Sequence, residues 1–313
     1  MRVAIAQLAP VWMNRAATLE KVVRALREAG QNQARLLAFG EALVPGYPFW
    51  LGLTQGAQFD SSLQKKWFAL YVREALDITR GDLGEVCATA REFGIATMLG
   101  VIERAPDRGG HSLYASLVYI NESGSVVSVH RKLCPTYEER LVWSPGDGHG
   151  LQVHELDDFR VGGLNCWENW MPLPRAALYA QGENVHVAAW PGGAHNTAEI
   201  TRFLAREGRS YVLSVSGLMH RDDISPELPE SEGVIAQAPE WLANGGSCIA
   251  GPDGQWLIEP FVCREGIEYA DLDLAVIQGE RQNFDPAGHY ARPDVTQLRI
   301  DRRRQSTVDW IDD

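Results

Sequence analysis

Cys166 stands in Phe159-Arg-Val-Gly-Gly-Leu-Asn-Cys-Trp-Glu-Asn-Trp-Met-Pro172, where a β-like run delivers a lone thiol onto a turn ahead of a helix-like segment. A thiol in that setting suits a nucleophile: helix N-termini and nearby cations favour the thiolate, and a neighbouring base can take its proton. Two distant segments supply partners. Glu41 follows the apolar run Arg35-Leu-Leu-Ala-Phe39 and Gly40; an acid there is costly unless solvated, paired or used, and burial raises its pKa towards that of a general base. Lys132, in His130-Arg-Lys132 behind another strand-like run, would place an ammonium beside a developing anion. Taken singly, each residue has a plain alternative: a buried structural thiol, a surface carboxylate, a strand-end lysine. Together they make a candidate triad.

Glu138 and Glu139 follow in Pro135-Thr-Tyr-Glu-Glu-Arg140. A second carboxylate there would hold the lysine or orient water, and an ordinary exposed acidic pair reads equally well. The eight histidines lack a close H-x-x-x-H pattern, so no metal site is expected; His130 and His195 lie nearest the chemical segments. There is no P-loop or GxGxxG pattern, which leaves nucleotide binding unsupported. Cys87, Cys134, Cys248 and Cys263 lack CxxC spacing and read as reduced, inert thiols.

The elements that must carry these groups alternate. Residues 3–8 form a buried-strand candidate; Asn14 then caps a helix with Leu19, Val22, Val23 and Leu26 on one face, stopped by Gly30. Residues 35–39 make a second strand, and Gly40, Pro45, Gly46 and Pro48 force an aromatic loop with Tyr47, Phe49 and Trp50 at its end. A helix is expected over 61–78, and Asp82 with Glu85 reads as a capping box for the next. Strands follow over 95–102, 112–120 and 125–129, with a hairpin over 151–164 turning at Asp157-Asp158. After the thiol come a helix near 175–181, a strand over 184–189, a helix over 199–207 and strands over 210–216, 246–250, 255–262 and 267–271. Such alternation, interspersed with hairpins, implies an α/β fold with mixed sheets covered by helices.

The chain has 313 residues, 45% of them hydrophobic and 22% charged, as in an ordinary folded protein. Its net charge of −12 argues against general nucleic-acid binding and favours a small uncharged substrate. The one basic cluster, Arg299 with Arg302-Arg303-Arg304, is interleaved with Asp301 and followed by Asp309, Asp312 and Asp313, and reads as a solvated tail. No run approaches membrane-spanning length, and the N-terminus reads as a strand rather than a signal segment, so a cytoplasmic location is expected.

Glu41, His130-Arg-Lys-Leu-Cys-Pro-Thr-Tyr-Glu-Glu-Arg140 and Gly162-Gly-Leu-Asn-Cys-Trp-Glu-Asn169 together resemble the nitrilase superfamily of carbon-nitrogen hydrolases, and the Cys-Trp-Glu-Asn version resembles its true nitrilase branch. The likeness extends through Trp143-Ser-Pro-Gly-Asp-Gly148, Ala189-Trp-Pro-Gly192 and Gly288-His-Tyr-Ala-Arg-Pro-Asp294, with Ser144 and Asn165 as departures from the usual pattern. It implies an α-β-β-α sandwich of two mixed sheets flanked by helices, with a single hydrolase domain over 1–285 and a C-terminal extension over 286–313. It also implies a Glu41-Lys132-Cys166 triad with Glu139 as an additional carboxylate, no cofactor, and a homodimer or larger homo-oligomer. The implied reaction takes a nitrile through a cysteine thioimidate and thioester to the acid and ammonia. Tyr47, Trp167, Trp190 and Pro191 lie beside the motifs and are the candidate substrate pocket. An amidase or carbamoylase using the same triad is the nearest alternative, and a scaffold that has lost catalysis is the alternative of another class.

Overall fold

Strands covered on both faces read as near-continuous apolar runs, and residues 3–6, 36–39 and 185–189 are such runs, every one of them buried. The computed structural model describes residues 1–308 and 311. Its first half contains β1 (Arg2–Gln7), α1 (Arg15–Gln31), β2 (Leu36–Phe39), α2 (Trp50–Leu53), α3 (Ser62–Glu74), α4 (Gly84–Phe93), β3 (Ala96–Arg104), β4 (Leu113–Ile120) and β5 (Val126–Arg131). The second half contains β6 (His154–Leu156), β7 (Phe159–Asn165), α5 (Pro172–Tyr179), β8 (Val185–Trp190), α6 (Ala194–Gly208), β9 (Tyr211–Ser216) and β10 (Leu218–His220). It continues with α7 (Ser231–Gln237), β11 (Trp241–Ala250), β12 (Trp256–Val262), β13 (Gly266–Asp271) and α8 (Leu274–Asn283).

One sheet has the order β13-β1-β2-β3-β4-β5; the other runs β10-β11-β9-β8-β7-β6, with β12 also paired to β11. β1, β2 and β3 are parallel, as are β7, β8 and β9, while β4, β5 and β13 add antiparallel pairings to the first sheet. Both sheets are therefore mixed. Their inner faces meet through Ile5, Ala38, Met98 and Leu117 on one side and Val161, Val187 and Leu213 on the other. α1 and α4 cover the outer face of the first sheet through Val22, Leu26, Val86 and Ala90. α6 covers the second with Ile200 and Leu204. The layers are α-β-β-α, as the resemblance implied.

Local expectations hold where the signal is local. Asn14 caps α1 by accepting the Ala17 N–H, and Ser61 accepts the Gln64 N–H ahead of α3. Other expectations are corrected. The helix over 61–78 stops at Glu74, because Leu76 pairs with β3 instead: its N–H donates to the Ile102 carbonyl and its carbonyl accepts from Arg104. The Asp82–Glu85 capping box does not form. Asp82 accepts the Asp77 N–H at 2.8 Å and pairs with Arg15 at 2.8 Å, a stronger set of partners than a helix end offers, and α4 starts without a side-chain cap.

α2, β10, α7 and α8 were not anticipated, Trp50 opening a short helix where a loop was expected; α8 buries Ile277 alone, so its sequence carries little helical periodicity. Nor is the basic cluster uniformly solvated. Arg299, Arg302 and Arg303 are exposed, but Arg304 is partly buried against Asp147; Asp309, Asp312 and Asp313 lie outside the described residues. No helix among the described residues is long and apolar enough to cross a membrane.

Candidate active site

Three strand ends bring the chemical groups together. Glu41 leaves β2 through Gly40, and its N–H donates to the carbonyl of Trp190 at the end of β8, 3.1 Å away. Gly40 permits this approach: a Cβ there would stand 3.0 Å from the Trp190 carbonyl oxygen and the Gly217 nitrogen. Lys132 continues β5; its N–H donates to Ala115, and its carbonyl accepts the Gly146 N–H at 2.7 Å. Cys166 follows β7 and opens a short turn of 3₁₀ helix, Cys166–Trp170, with φ of 49°. A left-handed cysteine is strained backbone, of the kind that clusters at functional sites.

The Lys132 ammonium is fully buried. It donates to Glu139 Oε2 at 2.7 Å and forms an ion pair with Glu41 Oε1 at 2.9 Å. Glu139 accepts also from the Tyr47 hydroxyl at 2.9 Å and the Thr136 N–H at 2.6 Å. Glu41, by contrast, accepts no aligned hydrogen bond from the protein on either oxygen. Ligand atoms of Glu41, Glu139 and Cys166 all lie within 4.8 Å of one another. Two carboxylates and a thiol so close resemble a metal donor set, but a cation already sits among them: the ammonium of Lys132.

Burial pushes Glu41 up to about 8; Lys132 opposes that shift, and the neighbouring Glu139 adds to it. Burial also works against the charge on Lys132, yet Glu41, Cys166 and Glu139 outweigh it and hold the ammonium above its ordinary value. The Cys166 thiol is raised well above its usual range, by burial first and the Glu41 charge second. The thiol is therefore held protonated beside an acceptor able to take its proton.

Glu168 fastens this constellation. Its buried carboxylate accepts the Asn165 N–H at 2.9 Å, the Leu133 N–H at 2.7 Å and His130 Nε2 at 3.1 Å. The turn bearing the thiol is thus tied to the segment bearing the ammonium. Burial disfavours the Glu168 charge, but those three donors more than compensate and hold its pKa below the ordinary range. On the far side, Asn169 donates to the Cys166 carbonyl at 2.9 Å and faces His186 at 2.7 Å.

Of the expected pocket residues, Tyr47 reaches the cluster through Glu139. Trp190 is fully buried and packs in one apolar cluster with Cys166, its indole N–H donating to Ser214. Trp167 contributes its backbone N–H beside the thiol, while its indole is 51% exposed near Trp170. Pro191 follows the end of β8, its carbonyl lying against Gly217. His195 is exposed, and His130 serves Glu168. The anchoring by Glu168 was missed; its place two residues after the thiol was the available signal.

The family model for carbon-nitrogen hydrolases matches residues 2–282. A protein named Nitrilase 2, from an unknown prokaryotic organism, is 38% identical over 309 residues, covering 98% of this chain and 95% of its own. An aliphatic nitrilase of Rhodococcus rhodochrous is 34% identical over 325 residues, covering 99% and 82%. Among solved structures, an amidase from Nesterenkonia sp. superposes with a TM-score of 0.62 at 19% identity, covering 90% of this chain and 94% of its own. That last likeness is one of fold.

Proposed function

Because the chain belongs to the carbon-nitrogen hydrolase family, we propose that it is a nitrilase, converting an organic nitrile and two waters to a carboxylic acid and ammonia. The observation that carries this reading is the buried Lys132 ammonium between two carboxylates, with a protonated thiol within 4.8 Å of both. The relatives named nitrilases, aligned over nearly the whole chain, supply the substrate class.

In the reaction proposed, Glu41 takes the Cys166 proton as sulfur attacks the nitrile carbon. The electron pair moves to nitrogen, where Lys132 stabilises the charge and Glu41 delivers the proton it took from sulfur, giving a thioimidate and restoring the Glu41 carboxylate. Water adds to that carbon with Glu41 as base, ammonia leaves and a thioester remains. A second water releases the acid and returns the proton to sulfur. Glu139 keeps Lys132 oriented through both halves, and the Trp167 N–H is a second donor to the developing anion. Tyr47, Trp167, Trp190 and Pro191 are the residues assigned to the organic group, with Tyr47 and Trp190 the best placed.

Matched nitrile and amide substrates, with ammonia and acid both measured, test the assignment. Nitrile turnover should dominate; amide turnover with negligible nitrile turnover would establish the amidase reading instead. The five cysteines are free thiols, which fits the cytoplasmic location we assign. Trp167, Trp170 and Leu173 are about half exposed or more, an apolar patch beside the site that supports a homodimer or larger assembly. Light scattering that finds only monomer would refute the assembly.

A further inference from the structure

The C-terminal segment packs on the loop beside Lys132 and on β5. Arg304 Nη1 donates to Asp147 Oδ1 at 3.0 Å, and its Nη2 donates to the Val129 carbonyl at 3.1 Å. The next residue adds a third bond, the Gln305 N–H donating to Asp147 Oδ2 at 3.1 Å. Asp147 is buried and belongs to the loop whose Gly146 N–H holds the Lys132 carbonyl. That loop lies flush on β5: a Cβ on Gly146 would overlap the Arg131 carbonyl. One guanidinium therefore clamps the loop and the strand that precedes Lys132.

A second line runs through the same segment. The Gln305 carbonyl accepts from Arg108, and the adjacent Asp107 pairs with Arg131 at 2.7 Å. Arg131 is the immediate neighbour of Lys132. The tail thus braces the loop that holds the Lys132 carbonyl and the turn that holds the Arg131 side chain, though neither Arg304 nor Asp147 belongs to the buried charged cluster.

We propose that Arg304 is a positioning residue, setting the reach of the Lys132 ammonium towards the reacting nitrogen by clamping Asp147 and Val129. The proposal rests on the reading of Lys132 as catalytic. The ammonium must hold two carboxylates at 2.7 and 2.9 Å, so a displacement of its backbone is felt at both contacts. A misplacement of about 1 Å at a catalytic group costs on the order of a hundredfold in rate. An unclamped loop that shifts by a fraction of that should be felt in kcat, with substrate affinity largely kept.

Full-length Arg304→Ala, Arg304→Lys and Lys132→Ala are assayed with a small nitrile, with Arg303→Ala as a control because Arg303 is exposed and pairs with Asp301. Rates are expressed per folded enzyme, the folded fraction being read from near-ultraviolet circular dichroism. The expected result is kcat about tenfold lower in Arg304→Ala with KM within about twofold. Arg304→Lys should recover most of the rate, as should millimolar guanidinium ion added to Arg304→Ala but not to the wild type. Wild-type kcat in Arg304→Ala beside an inactive Lys132→Ala overturns the clamp and leaves the triad standing. A loss confined to the folded fraction also overturns it. Wild-type activity in Lys132→Ala overturns the reading on which the clamp rests.

Discussion

The backbone N–H of Glu41 donates to the carbonyl of Trp190, 3.1 Å away, so a carboxylate carried by one sheet is seated on a strand end of the other. The two sheets share an apolar interface that is not directional; this hydrogen bond supplies a local register. It places Glu41 beside β8, whose neighbour β7 ends at the nucleophile. Fold and site are coupled through that contact, and the smallness of Gly40 is what lets it form.

Gly40→Ala should therefore damage activity more than stability. The added methyl would stand 3.0 Å from backbone atoms of both Trp190 and Gly217, which must yield by a few tenths of an ångström. We expect kcat/KM to fall on the order of tenfold, with the melting temperature lowered by only a few degrees, about 1 kcal/mol. Paired kinetics and thermal unfolding check the ratio of the two effects.

The pH profile follows from the Glu41 environment. Only ionised Glu41 can accept the thiol proton, and burial delays its ionisation to about 8. kcat/KM should accordingly rise with pH through the neutral range and level off above that value. Glu139 is one of the groups raising Glu41, so Glu139→Gln should move the rising limb to lower pH even where it lowers the plateau. A limb that stays in place would show that another group controls the rate.

Glu168→Gln removes a buried charge that accepts from His130, Leu133 and Asn165. A loss of about 3 kcal/mol is expected, since hydrogen bonds to charged groups are each worth about 1.5–3 kcal/mol and a neutral amide retains part of them. The sign of the pH effect is fixed by the depressed native pKa. Stability from Glu168 is complete above the ordinary carboxylate range and is lost as pH falls through the depressed value. The gap between wild type and variant in urea midpoint should be widest at neutral pH and close in acid.

How much of this was legible depends on the range of the interaction. Residues 3–6 and 36–39 announced buried strands by composition alone, and Asn14 announced a cap because its partner Ala17 is three residues away. Cys166 was readable from its turn, and Glu41 from its position after an apolar run. The meeting of the two sheets needed the family resemblance, since periodicity within a strand does not encode what faces it. The Arg304–Asp147 pair spans 157 residues, and a charge run gives no sign of which of its members will be buried. Trp167 shows the same limit: its place beside the nucleophile was evident, but not that its indole turns outward.

Tyr47 separates a wall from a working group. Its ring packs on Phe49 at 4.9 Å and edge-on to Trp143 at 5.5 Å, contacts that Tyr47→Phe would keep. Its hydroxyl, however, donates to Glu139 at 2.9 Å, and Glu139 in turn orients Lys132. A residue that only lined the pocket would tolerate the change, with KM for an apolar nitrile equal or lower. A hydrogen bond to a charged group is worth about 1.5–3 kcal/mol, roughly tenfold to a hundredfold in rate if it is realised in the transition state. We expect the loss in kcat, at the lower end of that range because Lys132 and the Thr136 N–H still hold Glu139, with KM little changed. Steady-state kinetics on an aliphatic and an arylacetonitrile substrate decide it: an unchanged kcat on both would return Tyr47 to the role of a wall.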